Sequence, residues 1–260
     1  MLNLPDYINR SDFETYWQHI HDYAKNMKLH ITGGHTNFDA FNHSSIAGGL
    51  TLFSIGNSRD ILSSSHADEG DLLFMSKTAG LTACSMLAEV FSKHVESKLG
   101  KTTTQKARSN FWNISVLTEA AIVFQLNRNQ KVVSAMHDVT EGGVLGAVYE
   151  FVTASGLGVQ LYKDNIPVLK ECEGVARTFN LDATGIIGAG AMLIACKPQY
   201  KGMLITQMKN IGILCTEIDV FTKEQEGKYY WTHGEKSILC APNEDAYWAV
   251  FSKSLKDGLS

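Results

Sequence analysis

The fold of this chain is decided by the stretch Ala135-Met136-His137-Asp138-Val139-Thr140-Glu141-Gly142-Gly143-Val144, where an apolar strand pattern gives way to polar residues and two glycines open a helix. In α/β proteins such a turn lies at the carboxyl end of a strand, where free N–H groups and the helix dipole favour anions. The alternative is that Asp138 or Thr140 only caps the helix and the glycines allow close packing. Both interpretations stay open, and the stretch is the best single candidate for a functional site.

Outward from this turn, the apolar periodicity alternates between helix and strand, which predicts a mixed α/β fold. The predicted strands are Leu72–Met75, Val132–Met136, Gly158–Tyr162, Ala191–Cys196, Leu214–Phe221, Tyr229–Trp231 and Ser237–Leu239. The predicted helices are Leu81–Val95, Ile114–Leu126, Gly143–Ala154, Val168–Phe179, Pro198–Ile211 and Glu244–Ser254, with a polar linker at Lys101–Asn110.

The first part of the chain has a different pattern. Ser11-Asp12-Phe13-Glu14 reads as a capping box and predicts a helix from Ser11 to about Met27. We expect strands at Leu29–Thr32 and from Ser45 to about Ile55. A break near residue 70 predicts two domains, residues 1–70 and residues 71–260.

A second candidate site is Gly33-Gly34-His35-Thr36-Asn37-Phe38-Asp39, which follows the expected strand Leu29–Thr32. Adjacent glycines let backbone amides approach an anion, and His, Thr and Asp can bond a phosphate or a metal-bound water. The simpler interpretation, a glycine turn with an exposed His35, is the more frequent outcome for so short a motif.

A third glycine-rich segment, Ala183–Ala191, reads G-x-x-G-x-G and leads into a strand. A dinucleotide-binding fingerprint has the opposite order and precedes a helix, so we expect these glycines to allow tight contact with a neighbouring loop or nucleotide.

Three further polar residues are not expected to take part in a functional site. Lys77 is expected to be solvated at a strand end, Glu119 to lie on a helix surface or in a bundle, and Asp71 to belong to a turn.

Composition excludes several classes of partner. The chain has 260 residues and a net charge of −4 without a run of like charge, so neither nucleic acid nor an acidic membrane is an expected partner. Its apolar stretches fall short of the ~20 residues of a membrane helix, and its first residues do not resemble a secretory signal. These features predict a cytoplasmic protein.

Four segments, in this order, resemble the PurM-like superfamily of ATP-dependent enzymes, and in particular its AIR synthase-related, HypE-like hydrogenase maturation branch. Other members are aminoimidazole ribonucleotide (AIR) synthase, selenophosphate synthetase and thiamine monophosphate kinase. The segments are Ile31–Thr36, Glu69–Leu81, Ala135–Gly143 and Gly185–Leu193.

The resemblance implies a first domain that adds strands to a homodimeric β-barrel and an α/β second domain, with ATP and Mg²⁺ in the cleft. It also implies transfer of a phosphoryl group from ATP to an oxygen, commonly that of a small-molecule or protein-bound amide or carbamoyl group. Carried over position by position, it implies catalytic roles for Asp138 and His35, ATP-binding roles for Gly33, Gly34, Thr36, Thr140, Gly142 and Gly143, and a metal-binding role for Asp39.

The sequence also departs from the family pattern. Family members carry a glycine-rich, Asp-containing segment that binds phosphates and magnesium, and the present sequence begins at the helix that follows it, so an impaired ATP and magnesium site is expected. Asn37 stands where a glutamate often follows the G-G-H-T run, and Ser260 where HypE ends in a cysteine. Three alternatives therefore stay open: an enzyme, a non-catalytic scaffold or partner-binding homologue, and a fragment of a longer protein.

Overall fold

A computed structural model of the protein describes residues 1–39, 46–242 and 244–260, with only the backbone of Asp39 and Arg59. The chain folds into two compact units, Met1–Gly56 and Asn57–Ser260. The expected domain boundary between residues 70 and 71 stays a prediction. Within the described ranges, no helix is both long and apolar enough to cross a lipid bilayer.

The first unit contains the predicted helix, but its N-cap is different. Helix α1 spans Arg10–Asn26, and its N-cap is Asn9, whose side chain accepts the N–H of Asp12 at 3.0 Å. The capping box at Ser11 is therefore wrong, because Ser11 lies inside the helix. Glu14 instead pairs with Arg10 at 2.7 Å.

The small sheet of the first unit corrects the predicted strands. Strand β1 (Leu2–Pro5) pairs in parallel with β2 (Thr36–Asp39) and antiparallel with the two-residue β3 (Ala47–Gly48). The expected strand at Leu29–Thr32 is absent from this described stretch, because β1 recruits the residues that follow the glycines, with the N–H of Leu2 donated to the His35 carbonyl at 2.9 Å. Gly33 and Gly34 thus precede a strand. Of the expected strand from Ser45, Ser45 itself lies outside the described residues and only β3 forms.

The second unit is a seven-stranded mixed sheet with helices, so the mixed α/β prediction is confirmed. The strand order is β10-β9-β6-β8-β4-β7-β5, and only β6 and β9 pair in parallel. The strands are β4 (Leu72–Ser76), β5 (Val133–Asp138), β6 (Leu157–Tyr162), β7 (Met192–Cys196), β8 (Cys215–Lys223), β9 (Lys228–Thr232) and β10 (Glu235–Ile238). The helices are α2 (Leu81–Val90), α3 (Ser92–Leu99), α4 (Lys101–Ser109), α5 (Leu117–Leu126), α6 (Gly143–Ser155), α7 (Lys170–Thr178), α8 (Lys201–Asn210) and α9 (Ala246–Lys256).

Two helix predictions need correction. The expected helix Leu81–Val95 is interrupted at Phe91, where the backbone leaves the helical region (φ −108°, ψ 41°) between α2 and α3. The expected linker Lys101–Asn110 is instead helix α4, which buries only Thr104 and Ala107. Two small buried residues three positions apart give too weak an apolar stripe to identify a helix from the sequence.

Strand β5 lies at the edge of the sheet, and one side chain protects the start of that edge. The Asn127 side chain donates to the carbonyl of Val133 at 2.8 Å and accepts the N–H groups of Val132 and Val133 at 3.0 and 2.9 Å. The amide therefore satisfies backbone groups that a neighbouring strand would otherwise bond. The other end of β5, at Asp138, carries the predicted site.

Candidate functional site

The candidate site is the turn Asp138–Gly143, which joins β5 to α6. Asp138 is exposed at the carboxyl end of β5, and the buried Val139 anchors the turn in the core between the sheet and α6. The N–H of Val139 donates to the Ala191 carbonyl at 3.1 Å, and the Thr140 carbonyl accepts the N–H of Gly188 at 3.1 Å. The third glycine segment therefore fixes the turn at the two residues that directly follow its exposed carboxylate.

Gly143 is required by its surroundings. Its φ is +62°, and a Cβ there would lie 2.6 Å from the carbonyl oxygen of Thr184 and 2.7 Å from that of Ile186. Neither the backbone conformation nor the space accommodates a side chain. For this glycine, close packing is a sufficient reason for its presence.

Gly142 bonds a carboxylate from the far end of the chain. Its N–H donates to Asp245 Oδ2 at 2.8 Å, while Asp245 Oδ1 accepts the N–H of Tyr247 at 2.9 Å and caps α9. The N-terminus of α6 thus binds an anionic group, while its expected binding of a nucleotide phosphate stays a prediction. In the described structure that anion is the chain's own buried Asp245.

His137 is held apart from Asp138 by its own partners. Its Nδ1 lies 2.8 Å from Ser64 Oγ and its Nε2 lies 3.1 Å from Glu150 Oε2, and its ring stacks on Phe151. Because consecutive residues of a strand point to opposite faces of the sheet, the side chains of His137 and Asp138 lie on different faces. The contacts of His137 fasten the short 3₁₀ turn Ser64–His66 to the sheet edge.

The third glycine segment makes the tight loop contact that its sequence predicted. A Cβ on Gly188 would lie 2.9 Å from Val139 Cγ1. Beside it, burial raises the pKa of Asp182, but the ion pair with Lys163 and the hydrogen bonds donated by Thr184 outweigh burial and lower the pKa overall. Asp182 is thereby kept ionised and holds the start of the segment.

An ion pair that sequence reasoning missed lies on the other side of this segment. Lys77, expected to be solvated, donates from Nζ to the carbonyls of Ser115 and Gly190 and lies 2.5 Å from Glu119 Oε1. Glu119, expected on a surface or in a bundle, is fully buried. Its position inside the apolar run Leu117–Leu126 was the available signal, because a charge in such a run is buried only when paired.

The other minor candidate, Asp71, closes the predicted turn, because its N–H donates to the Asp68 carbonyl at 3.1 Å, and its side chain is buried. It lies at the start of β4, and Lys197 Nζ approaches its Oδ1 at 2.8 Å. The hydroxyl of Ser134 donates to its other oxygen. Each end of strand β4 therefore has a lysine paired with a buried carboxylate.

The predicted residues of the first unit have looser surroundings. A Cβ on Gly33 or Gly34 would meet nothing within 4 Å. The side chain of His35 is exposed, Thr36 begins β2, and the side chain of Asp39 lies outside the described residues. The roles assigned to these residues stay predictions.

No cluster of three or more His, Cys, Asp or Glu side chains that could hold a metal ion occurs among the residues whose side chains are described. Asp138 is an exposed carboxylate at the candidate site. Magnesium is commonly held by one or two carboxylates together with substrate phosphates, so one carboxylate fits a metal that arrives with a nucleotide.

Among known protein families, residues 68–232 match the C-terminal domain of AIR synthase related proteins. A selenide, water dikinase of Methanocaldococcus jannaschii is 26% identical over 220 residues, which cover 80% of this chain and 60% of that protein. A putative hydrogenase expression/formation protein of the same organism is 24% identical over 249 residues, covering 94% of this chain and 69% of that protein. The chain thus spans about 60% of the length of the first of these relatives.

A solved structure shows the same fold. The crystal structure of the hydrogenase maturation protein HypE in complex with ATP matches with a TM-score of 0.68 at 11% identity, covering 95% of this chain and 73% of that one. The expected PurM-like fold is therefore confirmed. The matched family segment contains the whole turn Asp138–Gly143 and both ends of β4.

Proposed function

Because the chain belongs to the family of AIR synthase related proteins, we propose that it is a HypE-like, ATP-binding protein that transfers a phosphoryl group from ATP to the oxygen of an amide or carbamoyl group. Two similarities support this function. A structural relative is HypE in complex with ATP, and a sequence relative is named as a putative hydrogenase expression/formation protein.

The observation that carries the proposal is the turn Asp138–Gly143. It places an exposed carboxylate and a threonine at the carboxyl end of β5, beside a helix N-terminus that already stabilises the Asp245 carboxylate. A position that stabilises a carboxylate also suits a phosphate oxygen, since both are anionic acceptors of N–H groups. The position of the Asp245 carboxylate therefore indicates where the negative charge of a nucleotide's phosphates would be stabilised.

Phosphoryl transfer depends mainly on positioning and on spreading negative charge. Asp138 would hold the metal that accompanies the phosphates, and Thr140 would donate its hydroxyl to a phosphate oxygen. Magnesium, when bound, supplies charge neutralisation for the phosphates. For the first unit we retain the proposed roles of Gly33, Gly34, His35 and Thr36 in substrate or phosphate binding and of Asp39 in metal binding.

The acceptor and the assembly are also proposals. The acceptor would be an amide or carbamoyl group, either on a small molecule or attached to a protein. The protein would act as a homodimer built through its first unit.

A second function, that of a non-catalytic scaffold or partner-binding homologue, is favoured by one observation. The N–H of Gly142 is bonded to Asp245, and the N–H of Gly143 points to the Thr140 carbonyl at 3.2 Å. Both donors predicted to cradle phosphates thus have partners within the chain. A scaffold needs the glycines for packing only.

Isothermal titration calorimetry with MgATP separates the two functions. We expect the natural full-length protein to bind MgATP with a dissociation constant between about 1 μM and 1 mM, the range in which the KM values of most enzymes lie. Asp138→Asn should weaken binding at least tenfold, while the matched change Asp257→Asn, at an exposed carboxylate after α9, should leave it unchanged.

The enzymatic proposal requires a second readout. ADP release should rise when an amide or carbamoyl acceptor is added, and Asp138→Asn should abolish that increase. Absence of MgATP binding by the full-length natural protein would exclude the enzyme and leave the scaffold.

A further inference from the structure

Lys77 ends strand β4 in a conformation that side chains rarely adopt. Its φ is +52°, and its N–H is held by the Leu214 carbonyl at 2.8 Å. The left-handed conformation is unfavourable for a residue other than glycine and persists only where its surroundings fix it. The contacts of the Lys77 side chain supply that fixation.

The Lys77 ammonium group has no donor to spare. A lysine has three N–H donors. They meet the Ser115 carbonyl at 2.8 Å, the Gly190 carbonyl at 2.9 Å and Glu119 Oε1 at 2.5 Å. Lys77 is therefore not a phosphate ligand, and its charge is used inside the protein.

Glu119 depends on this lysine. Its side chain is fully buried, its Oε1 also accepts the Ser76 hydroxyl at 3.1 Å, and its Oε2 has no partner among the described side chains and backbone. The Ser76 oxygen in turn accepts the N–H of Met192 at 3.1 Å. The pair thus joins α5, β4 and the start of β7.

The same ion pair reaches the candidate site through one loop, residues 188–191. Lys77 binds the Gly190 carbonyl, and the Thr82 hydroxyl binds that of Ala189 at 2.7 Å. On its other side, the loop bonds Val139 through Ala191 and Thr140 through Gly188, each at 3.1 Å. Those two bonds hold Val139 and Thr140, the two residues that directly follow Asp138 in the turn.

We propose that the ion pair of Lys77 with the buried Glu119 is a positioning device that sets Asp138 and Thr140, through loop 188–191, for the phosphates of the substrate. This inference rests on the function proposed above. Neither residue touches the substrate, so both are positioning residues.

The chain supplies a matched control at the other end of the same strand. Lys197 and the buried Asp71 form a second lysine–carboxylate pair, but Asp71 precedes β4 and Lys197 follows β7. Each carboxylate also accepts a buried serine hydroxyl, Ser76 for Glu119 and Ser134 for Asp71. The two pairs hold opposite ends of the strand, and Lys197 also pairs with Asp68 at 2.6 Å.

The experiment compares two charge-neutral double variants, Lys77→Met/Glu119→Gln and Asp71→Asn/Lys197→Met, by amide hydrogen exchange and MgATP titration. Removing both partners avoids leaving one buried charge unpaired. We expect only the first variant to speed the exchange of the Val139 and Gly188 amides at least tenfold relative to the change in global unfolding. Where the wild-type protein binds MgATP, only the first variant should weaken binding at least tenfold.

Two outcomes overturn the positioning role: unchanged exchange at Val139 and Gly188 in the first variant, or an equal increase in both variants. If either double variant fails to fold, Ser76→Ala and Ser134→Ala give the same comparison with milder changes. A wild-type protein that binds no MgATP would refute the proposed function, while the exchange data would still decide whether the pair positions the turn.

Discussion

Two residues, Gly143 and Lys77, adopt a positive φ for reasons that lie in their neighbours. Gly143 packs against two carbonyl oxygens at a positive φ, and Lys77 takes a positive φ despite its long side chain. At Gly143 the cause is space, whereas at Lys77 it is an ammonium group with three fixed acceptors. Of the two, Lys77 alone is strained, because glycine adopts a positive φ freely.

Gly143→Ala should destabilise the protein by about 3 kcal/mol, because the left-handed conformation costs about 1–2 kcal/mol and the new methyl group must also displace backbone. Gly156→Ala, at the other end of α6, is the matched control. Gly156 has φ +67° but nothing within 4 Å of a Cβ, so only the conformational cost of about 1 kcal/mol applies. Urea unfolding of the two variants measures the difference, and equal losses would contradict the packing explanation.

Elements with strong local periodicity formed where the sequence predicted them. Strand β4 and helix α6 keep nearly their predicted limits, because their apolar patterns reflect burial along their whole length. Helix α4 was missed because its burial is confined to two small residues, and β2 was misplaced because β1 selects its partner. The motif was enough to locate the exposed Asp138. The hydrogen bond that Gly142 donates to Asp245 joins residues far apart in the sequence, so no local pattern predicts it.

Strands β6 and β8 are joined by a carboxylate where their ladder ends. The pairing stops at Val159 opposite Phe221, and the N–H of Gln160 donates instead to Asp219 Oδ2 at 3.0 Å. Burial raises the pKa of Asp219 to about 6, against the weaker opposing effect of its backbone hydrogen bonds. The folded protein therefore binds the proton of the Asp219 side chain more tightly than the unfolded chain does.

Asp219→Asn should stabilise the protein at pH 7 but not at pH 4. Because the folded state holds the proton more tightly than the unfolded state, wild-type stability falls as pH rises from about 4 to about 6. We expect the variant to gain about 1 kcal/mol at pH 7, a discounted value because solvent screens the partly exposed carboxylate.

Denaturant unfolding at pH 4, 5.5 and 7 checks the effect. Asp182→Asn is the control: the pKa of Asp182 is lowered from 3.8, so its contribution is present at pH 5.5 and 7, is still largely present at pH 4, and is lost only as pH falls further through the folded-state pKa. A pH-independent difference for Asp219→Asn would refute the explanation.

At the level of the whole molecule, the two units differ in how much they bury. No residue of α1 is buried, and the first unit has a sheet with strands of four residues or fewer. The segment after β3 exposes four large apolar side chains. They are Leu50, Leu52, Phe53 and Ile55. A sheet this small needs further packing to be stable, which supports the proposed homodimer.

Leu52→Lys/Phe53→Lys should convert the proposed homodimer into a monomer, because two charges would enter an apolar contact. Leu255→Lys, at an exposed position of α9, should leave the dimer intact. Size-exclusion chromatography with light scattering measures the mass of each form. A monomeric wild-type protein, or a double variant that stays dimeric, would exclude this segment as the interface.

The order of strands in the large sheet has a consequence for synthesis of the protein. Leu72 of β4 pairs with Cys196 of β7 and with Val220 of β8, so a central strand is made long before either neighbour. At about 5–20 residues per second, a ribosome takes roughly ten seconds or more to supply them. During that interval the apolar strand β4 has unpaired backbone N–H and C=O groups along both of its edges. Chaperones bind nascent chains in this state.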